Sequence, residues 1–207
     1  KKSGIQINFI YSIKKNIFDC NILIIESRFC GRMEKTKFIN FLKENKDRSP
    51  YQIYCDMDGV VADFITYTTN LLGHKFSDDD WDDLPVDMFL QLPPMTDAHI
   101  LWKYIKQFQP FMLTAVPKES RGPIAKRAWK DKSRWMKKHF KLSSDRMKIV
   151  LRKHKKNFAM DGRDKRPNIL IDDHLGNIRE WESAGGIGVH HINANSTIND
   201  LKKIGFP

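Results

Sequence analysis

Residues 54–64 read "YCDMDGVVADF" and place two aspartates, Asp56 and Asp58, one residue apart. The apolar, β-prone run "YQIYC" ends at the first aspartate and Gly59 follows the second, which is typical of a buried strand that leads into a tight turn. Taken alone, "DMDG" is also compatible with an ordinary aspartate turn after a strand, although this alternative is the less favoured one. An EF-hand loop does not fit, because the glycine comes too early and a strand precedes it.

The rest of the chain alternates between strand-like and helix-like patterns. Further apolar runs, "PFMLTAVP", "MKIVLR", "PNILIDD" and "GIGVHHI", are separated by amphipathic stretches such as "DAHILWKYIKQF", "NIREWESAG" and "TINDLKKIG". The stretch "GPIAKRAWKDKSRWMKKHF" predicts a basic helix with Trp129 and Trp135 as its apolar anchors. Earlier in the chain, Ser77 and Asp80 resemble the pair of residues that caps the N-terminus of a helix. This alternation predicts an α/β fold with a mostly parallel sheet and right-handed crossovers.

Polar residues follow several of the predicted strands. Asp56 and Asp58 follow the first strand, Thr114 is predicted to end the second, and Asp172 with Asp173 end the fourth. In an open α/β sheet this edge binds ligands. Four carboxylates there would repel one another, so we expect a hard cation such as Mg²⁺, which suits phosphate chemistry. A lysine at another strand end would balance the remaining charge.

Composition limits the classes of function. The formal net charge is +11, but residues 118–156 carry 16 Lys/Arg against three acidic residues, and residues 51–117 carry three Lys against ten Asp. This distribution favours a focused anion site over one uniform nucleic-acid surface, although a solvated basic helix face explains many of these lysines equally well. No apolar run is long enough for a membrane span. The sparse cysteines, Cys20, Cys30 and Cys55, indicate a reduced, cytoplasmic protein.

The chain begins without Met, and residues 1–32 do not read as a signal peptide. Met33 opens an amphipathic pattern, so we expect the natural protein to start there. The predicted organisation is an extension over 1–32, a core domain over 33–63 and 109–207, and a small helical cap over 64–108. The cap is inferred because that stretch is too long for a plain crossover.

The chain resembles the haloacid dehalogenase-like (HAD) phosphohydrolases, from about Met33 to the C-terminus. "DMDGVVADF" looks like their first motif, "FMLTA" the second and "NILIDD" the fourth. Within that superfamily the chain is most similar to the 5'(3')-deoxyribonucleotidases, including phage-type members. Three stretches carry this closer resemblance: "MFLQLPPM", "KSRWMKKHF" and "NIREWESAGGIG". The resemblance implies a HAD-like Rossmannoid core with a cap inserted after the first strand.

The resemblance also implies roles for individual residues. Asp56 would be the nucleophile and Asp58 the general acid and base. Mg²⁺ would be held by the Asp56 carboxylate, the Asp58 backbone carbonyl and the Asp172/Asp173 pair, with Asp173 favoured as the direct ligand. Thr114 would bind the phosphate. Ala115, in place of a common serine, removes one possible hydroxyl contact.

The resemblance also implies a third-motif lysine, which in the family pattern lies four residues before a small residue that follows an aromatic one, here Ala159 after Phe158. That spacing favours Lys155, with Lys156 second and Lys153 also available. Lys132, in a K-x-x-W pattern with Trp135, resembles a further phosphate contact. The same pattern occurs at Lys126 with Trp129, so this assignment stays open.

The predicted function is hydrolysis of the phosphate ester of (deoxy)nucleoside monophosphates, which are small-molecule substrates. The base or the sugar would bind in an apolar slot formed by Phe64, Met88 and Phe89. These three residues could equally be cap core. The acidic residues 78–83 are expected to stay in solvent. A second hypothesis keeps the chemistry but places the phosphate on a polynucleotide end or a small metabolite, and a third is a non-catalytic nucleic-acid-binding protein. Nucleic acid is therefore a possible but not favoured partner, and a homodimer is possible.

Overall fold

The computed structural model describes residues 51–162 and 165–207, which all lie within one compact unit, Ser49–Pro207. The predicted extension over 1–32 and the predicted start at Met33 lie outside the described residues. The division into core and cap domains stays a prediction. None of the helices in the described ranges combines the length and apolar character that a membrane crossing requires.

A five-stranded, all-parallel sheet forms the centre of the described part of the chain, with strand order β3-β2-β1-β4-β5. This confirms the predicted α/β class with a parallel sheet flanked by helices, a Rossmann-like arrangement. The strands are β1 (Ile53–Cys55), β2 (Phe111–Val116), β3 (Met147–Leu151), β4 (Ile169–Asp172) and β5 (Ile187–His190).

Six α-helices flank this sheet in the described ranges. They are α1 (Phe64–Leu72), α2 (Met88–Gln91), α3 (Ala98–Ile105), α4 (Pro123–Phe140), α5 (Leu175–Ser183) and α6 (Ala194–Ile204). Short 3₁₀ segments lie at Asp78–Asp83, Lys106–Phe108, Glu119–Arg121, Ser144–Arg146 and Arg152–Phe158. The predicted Ser77 and Asp80 pair forms a capping box at the first of these.

Both faces of the sheet are covered, as its apolar strands require. Ile53, Cys55 and Ile171 point into a large core shared with the helices α3, α4 and α6. Tyr54 and Leu170, which alternate with them, point to the opposite face and pack against Trp181 of α5. Because successive strand side chains alternate between faces, the unbroken apolar runs of the sequence supply two cores at once.

Three local predictions are corrected by the structure. The strand "FMLTAV" does not end at Thr114 but continues to Val116, because β2 pairs with β3 from Met112 to Val116. The helical spacing of "VVADFITYTTNLLG" predicts a helix from Val60 that stops at Gly73, but the helix begins only at Phe64. Residues 57–62 instead form a tight turn in which the Met57 carbonyl accepts from Val61 N and Ala62 N. Trp129 is not an anchor: its side chain is 59% exposed, whereas Trp135 is buried.

The order of the strands positions the candidate site. From β1 the chain moves outward through β2 to β3, then crosses back to β4 on the other side of β1. The gap between connections that run in opposite directions is where open α/β sheets bind ligands. Here it lies beyond the C-terminal ends of β1 and β4.

Candidate functional site

Carboxylates from β1 and β4 meet at this point. Cys55 is in register with Ile171, and the Asp56 amide donates to the Ile171 carbonyl at 2.9 Å, so the residues that follow both strands stay side by side. Oxygen atoms of Asp56, Asp172 and Asp173 lie within 4.8 Å of one another. Three carboxylates this close can hold a metal ion, since hard cations bind several oxygen ligands at once.

Lys155 bridges two of these carboxylates. Its Nζ lies 2.6 Å from Asp56 Oδ2 and 2.8 Å from Asp172 Oδ2, and its side chain is buried. Burial alone would lower the pKa of Lys155, but the two carboxylates raise it above its ordinary value, so the ammonium stays charged. Lys153 and Lys156 are exposed, so the structure brings Lys155 alone of the three candidate lysines into this cluster.

Asp172 and Asp173 have different surroundings although they are neighbours. Besides the Lys155 contact, Asp172 accepts hydrogen bonds from His174 N at 2.9 Å and from Asn177 Nδ2, at 3.0 Å to Oδ1 and 2.9 Å to Oδ2. The Asp173 carboxylate has no hydrogen bond from any residue that the structure describes, while its backbone carbonyl contacts His190 Nε2 at 3.0 Å. Asp173 therefore has the freer oxygen atoms for a metal ion.

Gly59 makes room for Asp173. It adopts φ +75°, and a Cβ atom there would lie 2.1 Å from Asp173 Oδ2. The Asp173 carboxylate can therefore occupy its observed position against the turn after β1 because residue 59 has no side chain. This close approach brings the two halves of the site together.

Lys132 forms a second buried cluster with Asp58 and Thr114. Its Nζ is hydrogen-bonded to Asp58 Oδ2 and donates to Thr114 Oγ1 at 2.8 Å. The same ammonium lies 4.4 Å from the centroid of the Phe89 ring, a cation–π contact. Lys126 is exposed on the other side of α4, so of the two K-x-x-W lysines only Lys132 reaches the site.

The other oxygen of Asp58, Oδ1, is buried and has no hydrogen-bond partner among the described residues. Burial raises the pKa of Asp58, against the opposing charge of Lys132. Asp58 therefore has one oxygen fixed by a lysine and one oxygen available to take up or release a proton.

The cluster as a whole carries more negative than positive charge. Asp56, Asp58, Asp172 and Asp173 face two ammonium groups, Lys132 and Lys155, which leaves a formal charge of −2. Burial raises the pKa of Asp56 to about 6, with Lys155 opposing the rise. Burial, together with the charges of Asp56 and Asp172, raises the pKa of Asp173 to about 7. One divalent cation would cancel the excess.

The aromatic residues of the predicted slot are packed together. Phe64, Phe76, Trp81 and Phe89 form a cluster with ring centroids 5.0–6.5 Å apart. Met88 and Phe89 are buried, and Phe64 keeps partial exposure. This corrects the prediction of a slot lined by all three, because Phe89 supports Lys132 and Met88 belongs to the core. Asp78, Asp79, Asp82 and Asp83 are exposed, as expected.

Sequence reasoning missed the contributions of Asn177 and His190. Asn177 lies in the first turn of α5, directly after the paired aspartates, and this position was the available signal. His190 ends β5, beside β4. Asn177 opens the stretch "NIREWESAGGIG" and His190 lies in the strand "GIGVHHI", but neither pattern indicates a contact with the paired aspartates. The tertiary structure alone brings His190 to Asp173.

No protein-family model and no curated protein matches the chain. The geometry of the site has three parts: a buried carboxylate paired with lysine, a second carboxylate with a proton-accepting oxygen, and an acidic triad. This arrangement is suited to reactions that transfer a phosphoryl group, which depend on positioning and charge neutralisation.

Proposed function

We propose that the protein is a Mg²⁺-dependent phosphomonoester hydrolase that acts on (deoxy)nucleoside monophosphates. The observation that carries the proposal is the convergence of Asp56 and Asp58 with the Asp172/Asp173 pair, Lys155 and Lys132 at one sheet edge. A structural ion-pair cluster would need no excess of negative charge, whereas this cluster has a formal charge of −2.

In the first step, a carboxylate oxygen of Asp56 attacks the phosphorus atom. A bond forms between this oxygen and phosphorus, and the ester bond from phosphorus to the leaving oxygen breaks. Asp58 gives its proton to that leaving oxygen, so the nucleoside departs as a neutral alcohol. The pKa of Asp58, raised by burial, supports this role, since burial favours the protonated form of the carboxyl group.

In the second step, water displaces Asp56 from phosphorus. Asp58 takes a proton from the attacking water, a new phosphorus–oxygen bond forms, and the bond to Asp56 breaks. Inorganic phosphate leaves and both aspartates return to their starting states. The same residue thus acts as acid and then as base, which requires a carboxylate that exchanges protons easily.

The metal ion would be held by Asp173, Asp56 and the backbone carbonyl of Asp58. The donor set is all oxygen, which fits Mg²⁺ better than a soft metal. When bound, the ion neutralises charge on the phosphoryl group and orients it. Asp172 fixes Lys155, and Lys155, Lys132 and Thr114 offer positive charge and a hydroxyl to the phosphoryl oxygens.

The nucleotide preference rests on the family resemblance and on the aromatic cluster beside Lys132. Phe64 is partly exposed within that cluster and is the residue best suited to contact a base or deoxyribose. A second substrate, the terminal phosphate of a polynucleotide, is favoured by the exposed basic residues that follow β3, Arg152, Lys153 and Lys156. Such residues suit a ligand with more than one phosphate.

The test is phosphate release from a panel of substrates: the dNMPs, the NMPs, a 3'-phosphorylated oligonucleotide and an aryl phosphate, each with Mg²⁺ and with EDTA. We expect turnover of dNMPs in Mg²⁺ alone. Asp56→Asn should reduce it at least about 1000-fold, because it removes the nucleophile. Asp82→Asn, an exposed carboxylate outside the site, is the matched control and should keep full activity.

The panel separates the competing functions. Turnover of the oligonucleotide alone, lost in Asp56→Asn, would keep the mechanism and replace the substrate. Turnover that persists in EDTA or in Asp56→Asn would contradict the mechanism. If no substrate is hydrolysed, the non-catalytic nucleic-acid-binding protein becomes the better hypothesis.

A further inference from the structure

The exposed side of α4 carries a dense row of basic residues. We call it the α4 basic stripe, and it consists of Lys126, Lys130, Arg134, Lys137 and Lys138 of α4, together with Lys141, the residue that directly follows the helix, all of them exposed. Residues three and four apart lie on one helix face, so these positions form a continuous row. At 1.5 Å per residue, Lys126 and Lys138 are about 18 Å apart along the axis.

The charges of the α4 basic stripe are not compensated. None of its six residues has an acidic partner within salt-bridge distance in the described part of the chain. The one acidic residue in α4, Asp131, is buried and pairs with Arg127 at 3.1 Å. Six like charges on one helix face repel one another, so an anionic partner would relieve that repulsion.

An exposed tryptophan flanks the α4 basic stripe. Trp129 is three residues from Lys126, on the adjoining turn, and is 59% exposed. The other aromatic residues of α4, Trp135 and Phe140, are buried. A large exposed ring next to a row of cations is suited to stacking on a base whose phosphates contact the cations.

A membrane surface fits this face poorly. A helix that lies in a bilayer interface needs an apolar face to insert. The apolar residues of α4 other than Trp129, namely Ile124, Ala128, Trp135, Met136 and Phe140, are buried in the protein, and Ala125 is half-buried. One ring does not replace that face.

We infer that the α4 basic stripe, together with Trp129, is a binding surface for single-stranded nucleic acid. The repeated cations match a repeated phosphate, and the exposed ring matches an unpaired base. The inference does not depend on the proposed hydrolase activity, because it concerns the outer face of α4, opposite the side that carries Lys132.

The test is the fluorescence anisotropy of a labelled dT20 strand titrated with the full chain in EDTA, over a range of salt concentrations. Each phosphate contact on a single strand contributes about −0.7 to the slope of log K against log salt. We therefore expect a triple variant with Lys126→Ala, Lys130→Ala and Arg134→Ala to bind dT20 more weakly. The slope of log K against log salt should become less negative by about 2. Trp129→Ala should weaken binding about five-fold or more without changing the slope.

The matched control is a second triple variant, with Lys75→Ala, Lys103→Ala and Lys202→Ala. It removes the same net charge from exposed sites outside α4. It should leave both the affinity and the slope near those of the unmodified protein. Equal losses in the two triple variants would overturn the inference, because binding would then reflect net charge alone. Tighter binding to anionic vesicles than to dT20, or unchanged dT20 binding in Trp129→Ala, would also overturn it. EDTA removes the divalent ion that hydrolysis needs, so failure here is distinct from failure of the proposed enzyme.

Discussion

At the scale of single residues, the site depends on small differences between like groups. Asp172 and Asp173 are adjacent, yet Asp172 is held by Lys155, Asn177 and the His174 amide, whereas Asp173 keeps its oxygen atoms open. Strand geometry explains this difference, because successive side chains point to opposite sides. One aspartate therefore stabilises the lysine and its neighbour is available for a metal ion.

Gly59 allows a direct test of this arrangement. Gly59→Ala should lower the free energy of unfolding by about 1–2 kcal/mol, the strain of a side chain at positive φ, and its Cβ atom should push the Asp173 carboxylate out of its position. It should also reduce the increase in melting temperature on adding Mg²⁺. Urea unfolding and thermal melts with and without Mg²⁺ measure both effects.

Gly73→Ala is the control for Gly59→Ala. Gly73 has the same φ of +75°, but a Cβ atom there would meet nothing within 4 Å. Its cost should therefore be the backbone strain alone, about 1–2 kcal/mol, with the Mg²⁺ response retained. Equal costs in the two variants, with the same response to Mg²⁺, would show that Gly59 does not position Asp173.

At the scale of elements, α4 joins the site to the rest of the protein. Its inner side holds Lys132 beside Asp58, and Trp135 donates its Nε1 hydrogen to the Leu92 carbonyl at 2.7 Å. Leu92 directly follows α2, so this bond ties the segment between β1 and β2 to α4. The outer side of α4 carries the α4 basic stripe and makes no comparable contacts with the residues that the structure describes.

The two tryptophans of α4 should differ sharply in their contribution to stability. Trp135→Ala should lower the free energy of unfolding by about 3–5 kcal/mol, because it empties a fully buried site and removes a buried hydrogen bond. Trp129→Ala should change it by no more than about 0.5 kcal/mol, since that side chain is exposed. Urea unfolding measures both, and similar losses would contradict the assigned orientation of the helix.

At the scale of the whole molecule, the sheet topology determines where negative charge accumulates. β1 and β4 are adjacent only because the chain crosses back after β3, and this brings residues 116 positions apart, Asp56 and Asp172, into one cluster. Repulsion between these carboxylates destabilises the folded state, whereas in the unfolded chain the same groups are far apart. A divalent ion that binds only the folded state should therefore stabilise the protein.

Adding Mg²⁺ should raise the melting temperature. At a Mg²⁺ concentration 100-fold above its Kd, the free energy of unfolding should rise by about 2.7 kcal/mol. For a chain of this size, that rise corresponds to an increase in melting temperature of about 5 °C or more. Asp173→Asn should remove most of the gain, because it takes away the freest carboxylate, whereas Asp82→Asn should keep it. Differential scanning calorimetry with Mg²⁺ and with EDTA is the measurement, and an equal gain in both variants would contradict a magnesium site at Asp173.

Local sequence was enough to predict the α/β class, the parallel sheet and most elements, because strand and helix periodicity and turn residues act over a few positions. The candidate carboxylates could be predicted too, since "DMDG" and "IDD" end apolar runs whose C-terminal ends share one edge. Spacing also favoured Lys155 over its neighbours. These features need only the order of residues along the chain.

Only the tertiary structure decided which groups contact one another. It selected Lys132 over Lys126, turned Trp129 to solvent, buried Phe89 beneath a lysine, and brought Asn177 and His190 to the paired aspartates. The physical reason is that burial and charge pairing depend on how distant elements pack, and local patterns carry no record of that packing. The residue types of the site could be predicted from the sequence. The fold determined their partners, and the partners determine the pKa values of the site.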